Sequence, residues 1–201
     1  MSRRKQYDRT ELLDRAVELF RRQGFNGTST AELVAELGVN RKSMYAEFGS
    51  KQELFEATLV HYDRNHLTRV LAPIEAPDAG VDAIRRAFAG YASASEGWFH
   101  GRGCLLCNTA VERAALDPAS GAHVAAYLDR INRAFHNALE VGQRTGDLDE
   151  AVDLDALAAF LTTALIGVAA CVRAEALPEQ LHATSRVVSD FLDMHRPAVR
   201  N

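Results

Sequence analysis

"ELVAELGVNRKSMYAEFGSKQELF", Glu32 to Phe55, holds two short apolar-patterned runs and the opening of a third. Leu33, Val34 and Leu37 recur at helical spacing before Gly38, and Met44 and Phe48 do so before Gly49. Glycine at each stop can take the left-handed conformation that ends a helix. Asn40 stands where a cap for the second run is needed, and Ser50 with Glu53 forms a capping pair for the third. Helices this short are marginal alone and need a partner to bury their apolar side. Two of them joined by a tight turn with glycine make the helix-turn-helix pattern. Leu33, Leu37, Val39, Met44 and Phe48 would then face inward.

The partner lies just upstream. Leu12, Leu13, Ala16, Val17, Leu19 and Phe20 give one apolar face to a helix that starts at Asp8 and ends at Gly24. Thr28 or Ser29 caps the next helix. In a helix-turn-helix the second helix enters the DNA major groove with its first residues against base edges. Arg41 and Lys42 head that helix. Cations there oppose the helix dipole, a conflict that an anionic partner would offset.

Downstream the pattern stays helical. A fourth helix runs from Ser50 to about Leu71, and Pro73 and Pro77 mark a connection. A fifth covers residues 78–95, followed by the loop "EGWFHGRG", Glu96 to Gly103. A sixth covers 104–115 and a seventh 120–144, with Val124, Leu128, Ile131, Phe135 and Leu139 on one stripe. The eighth spans 153–175, and the ninth 178–196 with Pro178 in its first turn. The fold class is all-α with about nine helices: a head at residues 1–56 and a larger helical body at 57–201.

Composition agrees. The 201 residues are 47% hydrophobic and 25% charged, a soluble globular balance. The net charge of −4 is unevenly spread: residues 1–56 hold 10 Lys/Arg against 9 Asp/Glu, and the remainder 13 against 18. Lys5, Lys42 and Lys51, the only lysines, all lie in the head, and the tip "SRRK" is basic. A charged N-terminus without an apolar run gives no sign of a signal peptide. Ala156 to Val172 lacks charge but is slightly short of a membrane span and stands alone. A cytoplasmic protein without a membrane anchor is expected.

"GFNGTSTAELVAELGVNRKSMYAEFGSKQELF", Gly24 to Phe55, strongly resembles the DNA-binding segment of the TetR family of transcriptional regulators. Matching features are G-F, then T, then L-V-A-x-x-G-V, then S-x-Y-x-x-F, then S-K-x-E-L. "GCLLCNTAVE", Gly103 to Glu112, is similar to a segment of one group within that family. The resemblance implies that Thr28, Tyr45 and Lys51 bind phosphates. It implies that Arg41, Lys42 and Ser43 face base edges, with Asn40 capping the reading helix. At Ala46-Glu47 this chain departs from the bulkier or basic residues of many members.

A single head of this size binds DNA weakly, so a two-fold dimer on a palindromic double-stranded operator is expected. Helix 8 is nearly apolar all round up to Val172, and a helix of that kind must be buried on every side. Helices 8 and 9, about 153–175 and 178–196, are therefore the expected dimer interface. By resemblance the middle helices enclose an effector pocket. Its candidate lining is Trp98, Phe99, His100, Cys104, Cys107, Tyr127, Asn132, Phe135 and Cys171. Release from the operator by a small molecule is the expected regulation.

Three cysteines, an odd number, point away from a secreted disulfide framework. Cys104 and Cys107 form C-x-x-C at a helix start beside Arg102, a setting that lowers a thiol pKa. Three readings stay open: two small apolar core residues, a redox or electrophile-sensing thiol pair, or part of a zinc site with His100. No second C-x-x-C supplies the remaining zinc ligands. A thiol oxidoreductase would need a βαβ context that the chain lacks. No catalytic triad, phosphate loop or paired carboxylates stand out. No enzyme activity, cofactor or resident metal is expected.

Overall fold

The computed structural model describes residues 7–94, 97 and 101–197. The basic tip and Trp98, Phe99 and His100 lie outside the described residues. Among the described residues nine helices follow one another: α1 Arg9–Gln23, α2 Thr30–Leu37, α3 Arg41–Phe48, α4 at 51–75, α5 Val81–Ala94, α6 Leu105–Glu112, α7 Pro118–Thr145, α8 Leu154–Arg173 and α9 Pro178–Met194. Among the described residues there is no strand.

The short helices are held first by their caps. Asn40 accepts the Ser43 N–H at 2.8 Å, and Ser50 accepts the Glu53 N–H at 3.1 Å. Of the two candidates ahead of α2, Ser29 is the cap. Its hydroxyl and the Glu32 carboxylate exchange bonds with each other's backbone N–H. Gly38 takes the left-handed conformation at φ 67° and turns the chain into α3. Leu33, Leu37, Met44 and Phe48 are buried as the pattern requires, while Val39 is half-buried against the same core. They share one core cluster with Leu12, Ala16 and Phe20 of α1, and Phe20 packs edge-on against Phe55 of α4 at 4.9 Å between ring centroids.

In the body, α7 packs along α8, and α5 lies against α9. Ile131, Phe135 and Leu139 of α7 are buried between these layers. Phe135 stacks on Phe88 of α5 at 6.0 Å.

Helix α4 passes from head to body and differs from the sequence expectation. It continues beyond Leu71 to Glu75, with Pro73 inside it. Pro73 and Arg69, whose carbonyl loses its usual N–H partner, are both exposed, so water can take up that group. Between Lys51–Tyr62 and Thr68–Glu75 the helix widens into a π turn, Asp63–Leu67. The turn is tied on two flanks. The Asn65 amide donates to the His61 carbonyl at 3.0 Å, and His61 Nε2 lies 2.6 Å from Asp14 of α1. From α7, Arg130 donates to Asp63 at 2.8 Å and forks onto Glu75 at 2.5 and 2.8 Å.

Helix α8 is buried on one side only within a single chain. Leu157, Leu161, Leu165, Val168 and Val172 point into the bundle. Ala156, Ala159, Phe160, Thr163, Gly167, Ala170 and Cys171 form an exposed face of small and apolar residues. On α9, Val187 and Met194 are exposed beside it, and Phe191 meets Phe160 at 5.6 Å. By length and composition alone α8 is apolar enough to cross a membrane, a property that the core helix of a soluble protein shares.

Candidate nucleic-acid interface and effector cavity

Helices α1, α2 and α4 each carry an acid in the first turn, and α3 carries none. Arg41 and Lys42 occupy that turn and are exposed, with no ion pair among the described residues. Ser43 follows, half-buried. The Tyr45 hydroxyl lies 3.3 Å from Thr30 Oγ1 at the start of α2, and the Arg41 guanidinium sits 5.5 Å from the Tyr45 ring centre. The hydrogen bond with Thr30, then that with Arg41, lowers the Tyr45 pKa. The Lys51 ammonium lies 4.2 Å from the Phe25 ring centre. Partial burial, and then the nearby Arg113, lower its pKa.

Thr28 sits differently from the sequence expectation. It is buried, and its hydroxyl donates to the Gly24 carbonyl at 2.6 Å, closing the α1–α2 turn. Thr30 takes the outward place beside Tyr45. The signal for it was present: once Ser29 is the cap, Thr30 is the first helical residue. Glu47, the unusual acid of α3, turns back to α1 and pairs with Arg9 at 3.3 Å. It thus lies off the Arg41–Lys42 turn.

Helix α6 braces the head from the body. At its C-terminal end the Glu112 carboxylate accepts the Phe25 N–H at 2.9 Å and the Asn26 N–H at 2.6 Å. Arg113 lies over the Phe25 ring at 3.7 Å and donates to Gln52 of α4 at 2.7 Å. Gly24 makes the approach feasible: its φ is +74°, and a Cβ there would meet Glu112 Oε2 at 2.6 Å. At the N-terminal end of α6, fully buried Arg21 of α1 donates to the Gly103 carbonyl at 2.7 and 3.1 Å. Arg173 of α8 donates to the carbonyls of Arg21, Arg22 and Gly101, each at 2.8 Å.

Cys104 and Cys107 are buried at the start of α6, with Tyr127 Oη 3.5 and 3.8 Å away. Burial raises the pKa of the Cys104 thiol, but hydrogen bonds from Cys107 and Tyr127 to the thiolate outweigh it and bring it down to about 6. Cys107 moves the other way, pushed up by its bond to Cys104 and by burial. The spacing brought these two thiols together as expected. Cys171 is elsewhere, exposed on the outer face of α8. Among the described residues no three His, Cys, Asp or Glu side chains are arranged to hold a metal.

A cavity of about 430 Å³ opens among the last turns of α4, α5, α7 and α8. Its wall is almost wholly apolar: Val70, Leu71, Ile74, Ala87, Ile131, Phe135 and Leu165 among others, with Arg86 and Tyr91 as its polar members. Of the candidate lining residues, Phe135 is on this wall. Tyr127, Cys104 and Cys107 stand behind it, reached through Tyr91, whose hydroxyl bonds Tyr127. Asn132 is half-buried and off the wall. Composition hid this cavity, because its wall is ordinary core residues at helical spacing.

Two family models match the chain. Residues 12–58 match that of the bacterial regulatory proteins of the tetR family, and residues 80–188 match the tetracyclin repressor-like C-terminal domain. The chain belongs to the TetR family. It is 31% identical to the uncharacterized HTH-type transcriptional regulator YezE of Bacillus subtilis, over 80% of this chain and 84% of YezE. It is 30% identical to the HTH-type transcriptional repressor ComR of Escherichia coli, over 89% of this chain and 86% of ComR. Its structure is similar to that of the TetR family regulator CifR in a cysteine-substituted form complexed with a 26-bp double-strand operator DNA. There the TM-score is 0.80 and the identity 26%, covering 92% of this chain and 97% of the other. The TetR head thus contains α1–α3 and the first turns of α4, and the π turn of α4 falls between the two matched regions.

Proposed function

We propose that this chain is a dimeric, sequence-specific DNA-binding transcriptional regulator, a repressor that a small molecule releases from a palindromic operator. The observation that carries the reading is the first turn of α3, where exposed Arg41 and Lys42 crowd a positive helix end without an acid. A DNA major groove supplies the missing negative charge, and either side chain can reach guanine O6 and N7. Thr30 joins Tyr45 and Lys51 as phosphate ligands flanking that turn, and Asn40 and Ser43 fix its start. The named repressors among the relatives and the operator complex of CifR support the same reading.

The remaining parts follow from the same frame. Residues 1–56 act as the reading head and 57–201 as the effector-binding and dimerisation body. The exposed face of α8 with α9 suits a second copy of the chain, which would bury the apolar side left open in one subunit. The protein works in the cytoplasm, soluble and without catalytic chemistry. Effector enters the cavity beside the last turns of α4. Occupancy favours a head spacing that misses the operator, and linkage lowers DNA affinity by the same free energy.

A second trigger has its own support. The Cys104 thiol, its pKa lowered to about 6 by the hydrogen bonds of Cys107 and Tyr127, is one residue from the carbonyl that Arg21 of the head grips. A thiol-reactive electrophile or oxidant at Cys104 would disturb that grip.

The test is anisotropy at fixed salt with a duplex from just upstream of the protein's own gene against a scrambled duplex. The reading expects preferential binding with two subunits per duplex. No binding even at low salt would overturn it.

A further inference from the structure

The cavity carries an inference about effector chemistry, which rests on the regulator reading above. α5 presents Ala83, Arg86, Ala87, Gly90 and Tyr91 to the cavity, the spacing of one helix face. Arg85, next in sequence, is fully engaged: it donates to Asp82 and to Asp193, both at 2.7 Å. Arg86 has no such partner among the described residues, and no acidic side chain lines the cavity. It is exposed, so its guanidinium stands at the mouth with an apolar chamber behind it. Tyr91 is already committed to Tyr127. Gly90 leaves the wall open, because a Cβ there would meet nothing within 4 Å.

We propose that the cavity takes a small apolar monoanion, an aliphatic or aromatic carboxylate, with its tail against Ile74, Ile131 and Phe135 and its charge on Arg86. The volume lies within the roughly 300–1,000 Å³ of small-molecule sites. Arginine matches a carboxylate with two parallel N–H donors, and the apolar wall rewards a tail without further polar groups. A neutral molecule of the same shape leaves the guanidinium to water and gains only the apolar part.

Calorimetric titration of the full-length protein with octanoate and with octanol tests this. Octanoate binds about tenfold more tightly than octanol, a factor in keeping with one charge-assisted pair at a half-open site. Arg86→Gln removes that advantage and leaves octanol binding unchanged. Gly90→Phe, which fills the chamber, abolishes both while far-UV circular dichroism keeps its helical signal. Absence of octanoate binding, or an advantage that survives in Arg86→Gln, overturns the anion assignment. If Gly90→Phe blocks both probes but Arg86→Gln changes nothing, the cavity stands as effector site and only the ligand class falls. If Gly90→Phe changes neither, the cavity is not the binding site and that part of the functional reading falls with it.

Discussion

The Glu112 carboxylate holds the backbone N–H of Phe25 at 2.9 Å, joining the end of α6 to the turn between α1 and α2. It takes the Asn26 N–H as well, at 2.6 Å. These donors belong to the loop that leads into α2, so Glu112 grips the head by its backbone, beside the side-chain contacts of Arg113 with Phe25 and Gln52. Glu112→Gln keeps the shape and removes the charge. It should cost about 1–2 kcal/mol, the range of a hydrogen bond to a charged group at a half-buried site, and lower Tm by a few degrees. Differential scanning calorimetry checks this. An unchanged Tm would show that water replaces the grip without loss. Gly24→Ala should be worse, since it adds backbone strain to a direct clash with the same carboxylate.

At the proposed DNA face, Tyr45→Phe removes a hydroxyl assigned to phosphate and not to a base. Affinity should fall by a similar factor for every duplex. Arg41→Ala should also flatten discrimination at one operator position, worth about 1–3 kcal/mol. Competition anisotropy over single-base operator variants separates the two. Because the Tyr45 hydroxyl also shares a hydrogen bond with Arg41, the double substitution should be less than additive.

Gly167 lies on the outer face of α8, with nothing within 4 Å of a Cβ in the single chain. Gly167→Trp should leave the subunit folded and separate the proposed dimer. Light scattering after size exclusion, beside circular dichroism, gives the answer. A dimer that survives the tryptophan would move the interface off this face.

The thiols make a pH prediction. The folded value of Cys104, about 6, lies below the roughly 8.5 of a free thiol, so its ionised form favours the folded state. That contribution is fully present above about 8.5 and is lost as pH falls through about 6. Urea unfolding across that window should show a stability slope that Cys104→Ser flattens. A slope that persists in Cys104→Ser would assign it to another group.

Most of the head was legible because its instructions are local. Asn40, Ser50 and Gly38 each act within four residues, and the alternation of Leu33, Leu37, Met44 and Phe48 needs only the helical period. The resemblance makes Thr28 a phosphate ligand, but the sequence cannot tell a hydroxyl that closes a turn, as Thr28 does on the Gly24 carbonyl, from one that meets a partner. The π turn left no mark either, since its tie to the body comes from Arg130, 67 positions from Asp63. The same holds for the cavity: Arg86 and Arg85 are neighbours in sequence, and only the position of Asp193 separates a structural arginine from one available to a ligand.

That π turn also governs how such proteins can be recombined. Each residue in an α-helix advances the chain by about 100° around the axis, so one extra residue in α4 rotates everything upstream relative to everything downstream. A chimera made by joining this head to a relative's body keeps its aim only if Asp63–Leu67 and Arg130 come from the same parent. Where the other parent lacks the extra residue, a junction between Leu67 and Arg130 should turn the head relative to the body.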